Sequence, residues 1–192
     1  MDIIFMRHGK TLANENGLLA GVSDIPLSSK GIMEAEETAG LLREKKFQSV
    51  YCSPLKRASQ TAELMDLKCN YDQRLMEMNF GIFEGMTYEN MMKRYPRETA
   101  AWTDNYVNYR IPGGESLSEV YDRTVSFLGE IKEAQGKILV VTHESVIKCA
   151  LCSILGSIEH FYRFKADHCR FTTVALENNY KYIKTINSER IY

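Results

Sequence analysis

The chain has 192 residues, of which 44% are hydrophobic, 26% charged and 10% aromatic, the balance of a soluble globular protein and not of a disordered or fibrous one. Twenty-four Lys and Arg against 25 Asp and Glu leave a formal charge of −1, so no electrostatic excess recommends nucleic acid or an anionic membrane as partner. No apolar run approaches the roughly 20 residues of a membrane helix, and the start, Met1-Asp2 leading into a short apolar run, lacks the basic region and cleavage site of a secretory leader.

Residues 2–6 are apolar and free of turn formers, which predicts a buried strand, followed by a polar loop over 7–24. Ser28 or Ser29 can cap a helix over 30–46, where Ile32, Ala35, Ala39 and Leu42 recur at spacings of three and four. A strand over 48–52 leads into Ser53 and Pro54, read as the cap and first-turn proline of a helix over 55–65. The stretch 69–109 has the weakest pattern: a turn at 81–85, helices over 88–94 and around 100–106, and a break at Pro96. It is expected to form an insertion or lid over about 78–112. Pro112, Gly113 and Gly114 make a turn, and Ser116 can cap a long helix carrying Leu117, Val120, Tyr121, Val125, Leu128 and Ile131 on one side, ended by Gly136. Residues 137–142 are the clearest buried strand; His143 follows directly and leads into a helix through Leu155. Runs at 169–177 and 180–187, joined through Asn178 and Asn179, read as a closing hairpin.

Strands alternating with helices predict a single α/β domain over 1–192, a three-layer α/β/α sandwich with a mostly parallel sheet and an antiparallel hairpin at its edge. Five cysteines, an odd number in a chain long enough to build its own core, need no disulfide framework and fit a reducing, cytoplasmic setting. Cys149 and Cys152 form a C-x-x-C inside a helical stretch without further ligands, so they read as small buried thiols, and no metal site is expected.

In such sheets ligands bind beyond the carboxyl ends of the strands, where the strand order reverses. His8 and His143 both lie just past a predicted strand and are candidates to face each other. Arg7, His8 and Gly9 combine a fork of donors, an imidazole and a flexible backbone in one loop, a composition suited to an oxyanion, with Thr11 and Asn14 close behind. Arg57 falls in the first turn of a predicted helix, where an anion is favoured, although a solvated helix charge fits the same pattern. Glu77 is flanked by Met76 and Met78, and a carboxyl held among apolar side chains is a candidate general acid.

Taken together these pieces resemble the histidine phosphatase superfamily, the phosphoglycerate mutase-like proteins, over essentially the whole chain. The resemblance runs through Arg7-His8-Gly9 with Thr11 and Asn14, Pro26-Leu27 and Gly31, and Ser53-Pro54-Leu55-x-Arg57-Ala58-x-x-Thr61-Ala62. It continues through Glu77, Gly81, Phe83-Glu84-Gly85, Gly113-Gly114-Glu115-Ser116 and Val140-Val141-Thr142-His143. It implies that His8 is the nucleophile that takes the phosphoryl group, that Arg7, Arg57 and His143 surround the phosphoryl oxygens, and that Glu77 protonates the leaving alcohol. It implies further that Asn14 donates to the phosphate, that Gly21 lies where the loop passes close to substrate, and that neither cofactor nor metal is needed.

Two positions depart from the family pattern: Lys10 stands where many members have Glu, and Glu144-Ser145 follow His143 where small residues are common. Trp102, the 112–116 turn and Phe164-Lys165-x-Asp167-x-Cys169 are similar to the α-ribazole-5′-phosphate phosphatases of cobalamin assembly. The expected partner is a small-molecule phosphate ester, α-ribazole 5′-phosphate by that likeness, with a homodimer left open. The alternatives are a phosphoglycerate mutase or broad sugar-phosphate phosphatase, and a noncatalytic phosphate-ester-binding domain. The aromatic residues Tyr88, Tyr95, Trp102, Tyr106 and Tyr109 could stack on a heterocyclic leaving group or fill lid packing.

Overall fold

The computed structural model describes residues 1–177 and 180–191. Its centre is β1 (Asp2–Arg7), where Ile3, Ile4, Phe5 and Met6 are all fully buried, the signature of a strand covered on both faces. The same holds for β4 (Lys137–Thr142), which lies parallel beside it with Ile3 opposite Ile138 and Arg7 opposite Thr142. With β2 (Ser49–Cys52), β3 (Asn70–Tyr71), β5 (Phe171–Glu177) and β6 (Tyr180–Ser188) they form one six-stranded sheet in the order β3-β2-β4-β1-β5-β6. The first four strands of that order are mutually parallel, whereas β5 runs antiparallel to β1 and β6 antiparallel to β5. The hairpin therefore closes one edge as its composition predicts; its join at Asn178 and Asn179 lies outside the described residues.

Alternation along the strands sorts the core into two halves. Ile4, Met6, Leu139 and Val141 pack against α2 (Ser29–Leu42) and α3 (Lys56–Leu64) through Ala35, Leu42, Ala58 and Ala62. Ile3, Phe5, Ile138 and Val140 face α6 (Leu117–Ile131) and α7 (Glu144–Leu155), together with Phe83, Met91 and Ile111 from the segment between β3 and α6. This is the expected three-layer arrangement. The chain leaves β1 toward the α2/α3 layer and leaves β4 toward the α6/α7 layer, which opens a crevice between their adjacent carboxyl ends.

Several local expectations are corrected. The loop after β1 contains α1 (Leu12–Glu15), a single turn held by reciprocal hydrogen bonds between Thr11 and Asn14 and too short to show a period. On α2 the buried face is Gly31, Ala35, Thr38 and Leu42, and Ile32 is 39% exposed. Ala35 and Leu42 are buried as expected, and Gly31 joins them where the helix packs on the loop after β1, since a Cβ there would lie 2.0 Å from the Lys10 carbonyl oxygen. On α6 the buried residues are Leu117, Val120, Thr124, Phe127 and Ile131, while Val125 is 40% exposed. Thr124 can lie in that stripe because its hydroxyl donates to the Val120 carbonyl at 2.8 Å.

Pro96 opens α5 (Pro96–Asp104) at its first position, so it starts a helix as well as breaking the one before it, α4 (Tyr88–Arg94). Ser53 is not the cap of α3: Leu55 holds that position, and Ser53 Oγ accepts from the Leu55 N–H two residues on. Among the described residues no helix is long and apolar enough to cross a membrane.

Candidate active site

His8 leaves the end of β1 with its N–H donated to the Thr142 carbonyl at 3.0 Å, which continues the sheet register one residue into the site. Its Nδ1 lies 2.6 Å from the Gly9 carbonyl, an acceptor only, so the proton sits on Nδ1 and Nε2 carries the lone pair. Arg57 Nε donates to that Nε2 at 3.2 Å. The His143 ring stands 4.9 Å away, centroid to centroid, at the start of α7. Burial, reinforced by the charges of Arg57 and Arg7, holds the His8 imidazole well below its ordinary pKa, and burial with Arg57 and His8 does the same for His143. Both rings are therefore neutral at neutral pH, the form in which a histidine nitrogen can act as a nucleophile.

Arg57 is 1% exposed, and its guanidinium is held by backbone carbonyls: Nη1 donates to Ser23, and Nη2 donates to Ala20 and Gly21. The loop that supplies those carbonyls is itself tied to Glu84, whose carboxylate accepts from the Gly21, Val22, Ser23 and Phe80 amides and from the Ser23 hydroxyl. Gly21 is accordingly a support of Arg57; it is not on the wall of the cavity above the site, which Ala20 and Leu19 line. Arg7 Nη1 donates to the Ala166 carbonyl at 2.7 Å and pairs with Glu144 at 2.8 Å. Glu77 is buried, with Oε1 accepting from the Met78 amide at 2.8 Å and Oε2 3.5 Å from the Ser145 amide. Asn14 lines the same cavity; its carbonyl oxygen is taken by the Thr11 N–H and hydroxyl, which leaves the amide NH2 as its donor.

Buried polar side-chain atoms almost always find a partner. Among the described residues three do not, and two of them are Arg7 Nε and His143 Nδ1, from the residues that flank His8 in the strand and across the crevice. The other His143 nitrogen, Nε2, is 2.7 Å from the Ser53 hydroxyl. Ser53 Oγ already accepts from the Leu55 amide, so when it donates its proton to Nε2 the His143 proton resides on Nδ1. The result is two unused donors, Arg7 Nε and His143 Nδ1, beside a nucleophilic nitrogen whose lone pair is held by Arg57 Nε–H, the arrangement an oxyanion would complete.

The cavity above has a volume of about 370 Å3. Arg7, Asn14, Glu77 and Glu144 form its polar wall, and Phe80, Trp102, Tyr106, Phe161 and Tyr162 much of the rest. Trp102 and Tyr106 thus reach the site, whereas Tyr95 packs on Phe83 with ring centroids 6.2 Å apart. Lys10 bridges to Glu34 on α2 at 3.2 Å and is not part of the wall.

Sequence reasoning missed His168, Lys148, Ser53 and Glu84 as members of the site. His168 lines the cavity, its ring centroid lies 5.3 Å from that of His8 with the planes tilted by 60°, and it donates Nδ1–H to the His8 carbonyl. It lies in an irregular segment with no periodic signal, and Lys148 hides on an otherwise apolar helix. Among the described residues no group of three or more His, Cys, Asp or Glu is placed to hold a metal ion.

A model of the histidine phosphatase superfamily (branch 1) matches residues 3–189. The chain belongs to that superfamily. The chain is a phosphatase, and relatives along its full length agree with this. The Phosphoserine phosphatase 1 of Hydrogenobacter thermophilus is 29% identical, covering 97% of this chain and 92% of the relative. The Adenosylcobalamin/alpha-ribazole phosphatase of Escherichia coli is 28% identical over 100% of this chain and 98% of the relative. The crystal structure of the Alpha-ribazole Phosphatase from Shigella flexneri superposes with a TM-score of 0.92 at 28% identity, covering 100% of this chain and 98% of that one.

Proposed function

We propose that this phosphatase acts as a metal-independent phosphomonoesterase through a phosphohistidine on His8, with α-ribazole 5′-phosphate as its substrate. The pair of unpartnered buried donors from Arg7 and His143, the residues beside and facing His8, carries the mechanistic part of this reading. Arg57 Nε–H moves from His8 Nε2 to a phosphoryl oxygen, the freed Nε2 lone pair attacks phosphorus, the bond to the ester oxygen breaks, and Glu77 gives its proton to the leaving alcohol. Arg7, Arg57, His143 and the Asn14 amide donate to the phosphoryl oxygens, which neutralises charge as the phosphoryl group passes to nitrogen. Water then attacks the phosphohistidine, Glu77 takes its proton, and the P–N bond pair returns to Nε2. Gly21 contributes through Arg57, by the carbonyl that accepts from Nη2 at 2.6 Å.

The substrate assignment is supported by the two α-ribazole phosphatase relatives and by the aromatic cavity wall, which suits a flat heterocycle on the leaving alcohol. Within the one domain over 1–192, the 78–112 segment serves as the lid of that pocket, supplying Met78, Phe80, Trp102 and Tyr106.

The test is phosphate release in EDTA from α-ribazole 5′-phosphate, phosphoserine, sugar phosphates, nucleotides and 3-phosphoglycerate, for the wild type and His8→Ala. The expected outcome is a preference for α-ribazole 5′-phosphate and a loss of at least about 1,000-fold in the variant, the scale on which removing a covalent nucleophile acts. Turnover by His8→Ala at the wild-type rate refutes the phosphohistidine. An isomer in place of free phosphate makes the protein a mutase, and tight ester binding without turnover makes it a binding domain.

A further inference from the structure

Glu144 is the first residue of α7 and one turn before Lys148, and its carboxylate joins two cations: Arg7 Nη1 at 2.8 Å and Lys148 Nζ at 2.5 Å. All three residues line the cavity above His8. Lys148 is only 8% exposed, and its other neighbour of note is the Phe161 ring, 5.2 Å below the ammonium. Burial works to raise the Glu144 carboxyl, but Arg7 and Lys148 outweigh it and hold the group below the usual carboxylate range. An anion therefore sits one guanidinium away from the site proposed for the phosphoryl group, on the wall of the cavity that would receive the leaving alcohol.

Without that anion the wall would present Arg7 and a buried Lys148 ammonium together, a ready receptor for a carboxylate or second phosphate close to the scissile ester. With it, the two cations are already compensated. An acidic group on the leaving alcohol would meet a like charge inside a half-enclosed pocket, where Coulomb repulsion is poorly screened. We propose that Glu144 sets the charge specificity of the leaving-group pocket: it occupies the place of a second substrate anion, masks Lys148, and restricts turnover to esters whose alcohol bears no negative charge. The inference rests on the reading of His8, Arg7 and Glu77 as the reaction centre.

The experiment compares kcat/KM for 3-phosphoglycerate with that for phenyl phosphate in the wild type, Glu144→Gln and the double variant Glu144→Gln/Lys148→Met. For any ester that is not turned over, its Ki against phenyl phosphate is used. The discrimination is a ratio within one variant, so a general loss of activity through Arg7 cancels. Glu144→Gln should raise the ratio in favour of 3-phosphoglycerate by about tenfold, and adding Lys148→Met should remove most of that gain. An unchanged or lower ratio in Glu144→Gln overturns the proposal, as does a gain that survives in the double variant. His8→Ala, assayed on phenyl phosphate alongside, separates the two readings: if it turns over, the reaction centre is misassigned, and if it is dead while the Glu144→Gln ratio stays put, only the specificity inference fails.

Discussion

The two nitrogens of His143 have different fates, one against the Ser53 hydroxyl at 2.7 Å and the other buried without a partner, and this asymmetry makes Ser53 a positioning residue. Ser53→Ala removes the donor that fixes the proton on Nδ1, so both the tautomer and the ring orientation become free. The expected loss is about tenfold in kcat/KM with a matching rise in the Ki of inorganic phosphate, and about 1 kcal/mol of stability from the lost buried hydrogen bond. A Ki unchanged beside a lowered Tm would make the serine structural only. In the sequence His8 and His143 stand out as polar residues just past apolar strands, Arg57 by its place in the first turn of a helix, and Glu77 by its methionine neighbours, whereas Asn14 is singled out by the family resemblance; Arg7, Asn14, Glu77 and Glu144 then line one cavity. Ser53 was legible as a residue but not as a partner of His143, since the two are ninety positions apart and meet only through the sheet.

A single loop, residues 20–23, connects α3 to the segment before α4, because Arg57 grips its carbonyls from one side and Glu84 its amides from the other. Gly21 is where the loop touches both: a Cβ there would lie 2.1 Å from the Met78 carbonyl oxygen and 2.2 Å from Glu84 Oε1. The first of these is backbone next to Glu77, so it cannot swing aside. Gly21→Ala should therefore push the loop off Arg57, lowering kcat/KM about 100-fold and stability by about 2 kcal/mol, the range for overpacking a closed site. A variant with wild-type kcat/KM would show that Arg57 needs no such support. The elements themselves were legible where period and caps agree, as at α6 with Ser116 and Glu119 forming a capping box, and at β4. They were misread where polar or small residues share a buried stripe, as Thr124 does on α6 and Gly31 and Thr38 do on α2. The two-residue β3 and one-turn α1 are too short for any period to reveal.

At the scale of the molecule, the class of fold was legible from alternating strands and helices, whereas the strand order β3-β2-β4-β1-β5-β6 was not, because it depends on pairings between distant segments. That order brings the buried His8 and His143 and the half-buried His168 into one cluster beside Arg7 and Arg57, and the cluster has a thermodynamic consequence. Burial is the first cause of depression for all three rings, with the arginine charges adding to it; His8 and His143 lie well below 6.5 and His168 at about 4. In the unfolded chain each ring takes up a proton as pH falls through about 6.5, while in the folded protein it does not, so the unfolded state binds more protons and stability falls with pH. Above about pH 6.5 neither state is protonated at these rings and they contribute no slope. For His168 alone the shift from 6.5 to about 4 corresponds to about 3 kcal/mol lost between pH 6.5 and 4. The window lies above that of the depressed carboxyls Asp72, Asp167 and Glu119, whose stabilisation disappears only as they protonate in stronger acid. Urea unfolding at a series of pH values should therefore give a stability that holds from pH 8 to 6.5 as far as these rings are concerned and declines below it. In His168→Gln the decline down to pH 4 should be shallower by about 3 kcal/mol, since one of the protons taken up on unfolding is gone. Parallel curves for the two proteins across that window would mean that His168 keeps an ordinary pKa in the fold, and that the cluster is better solvated than its burial implies.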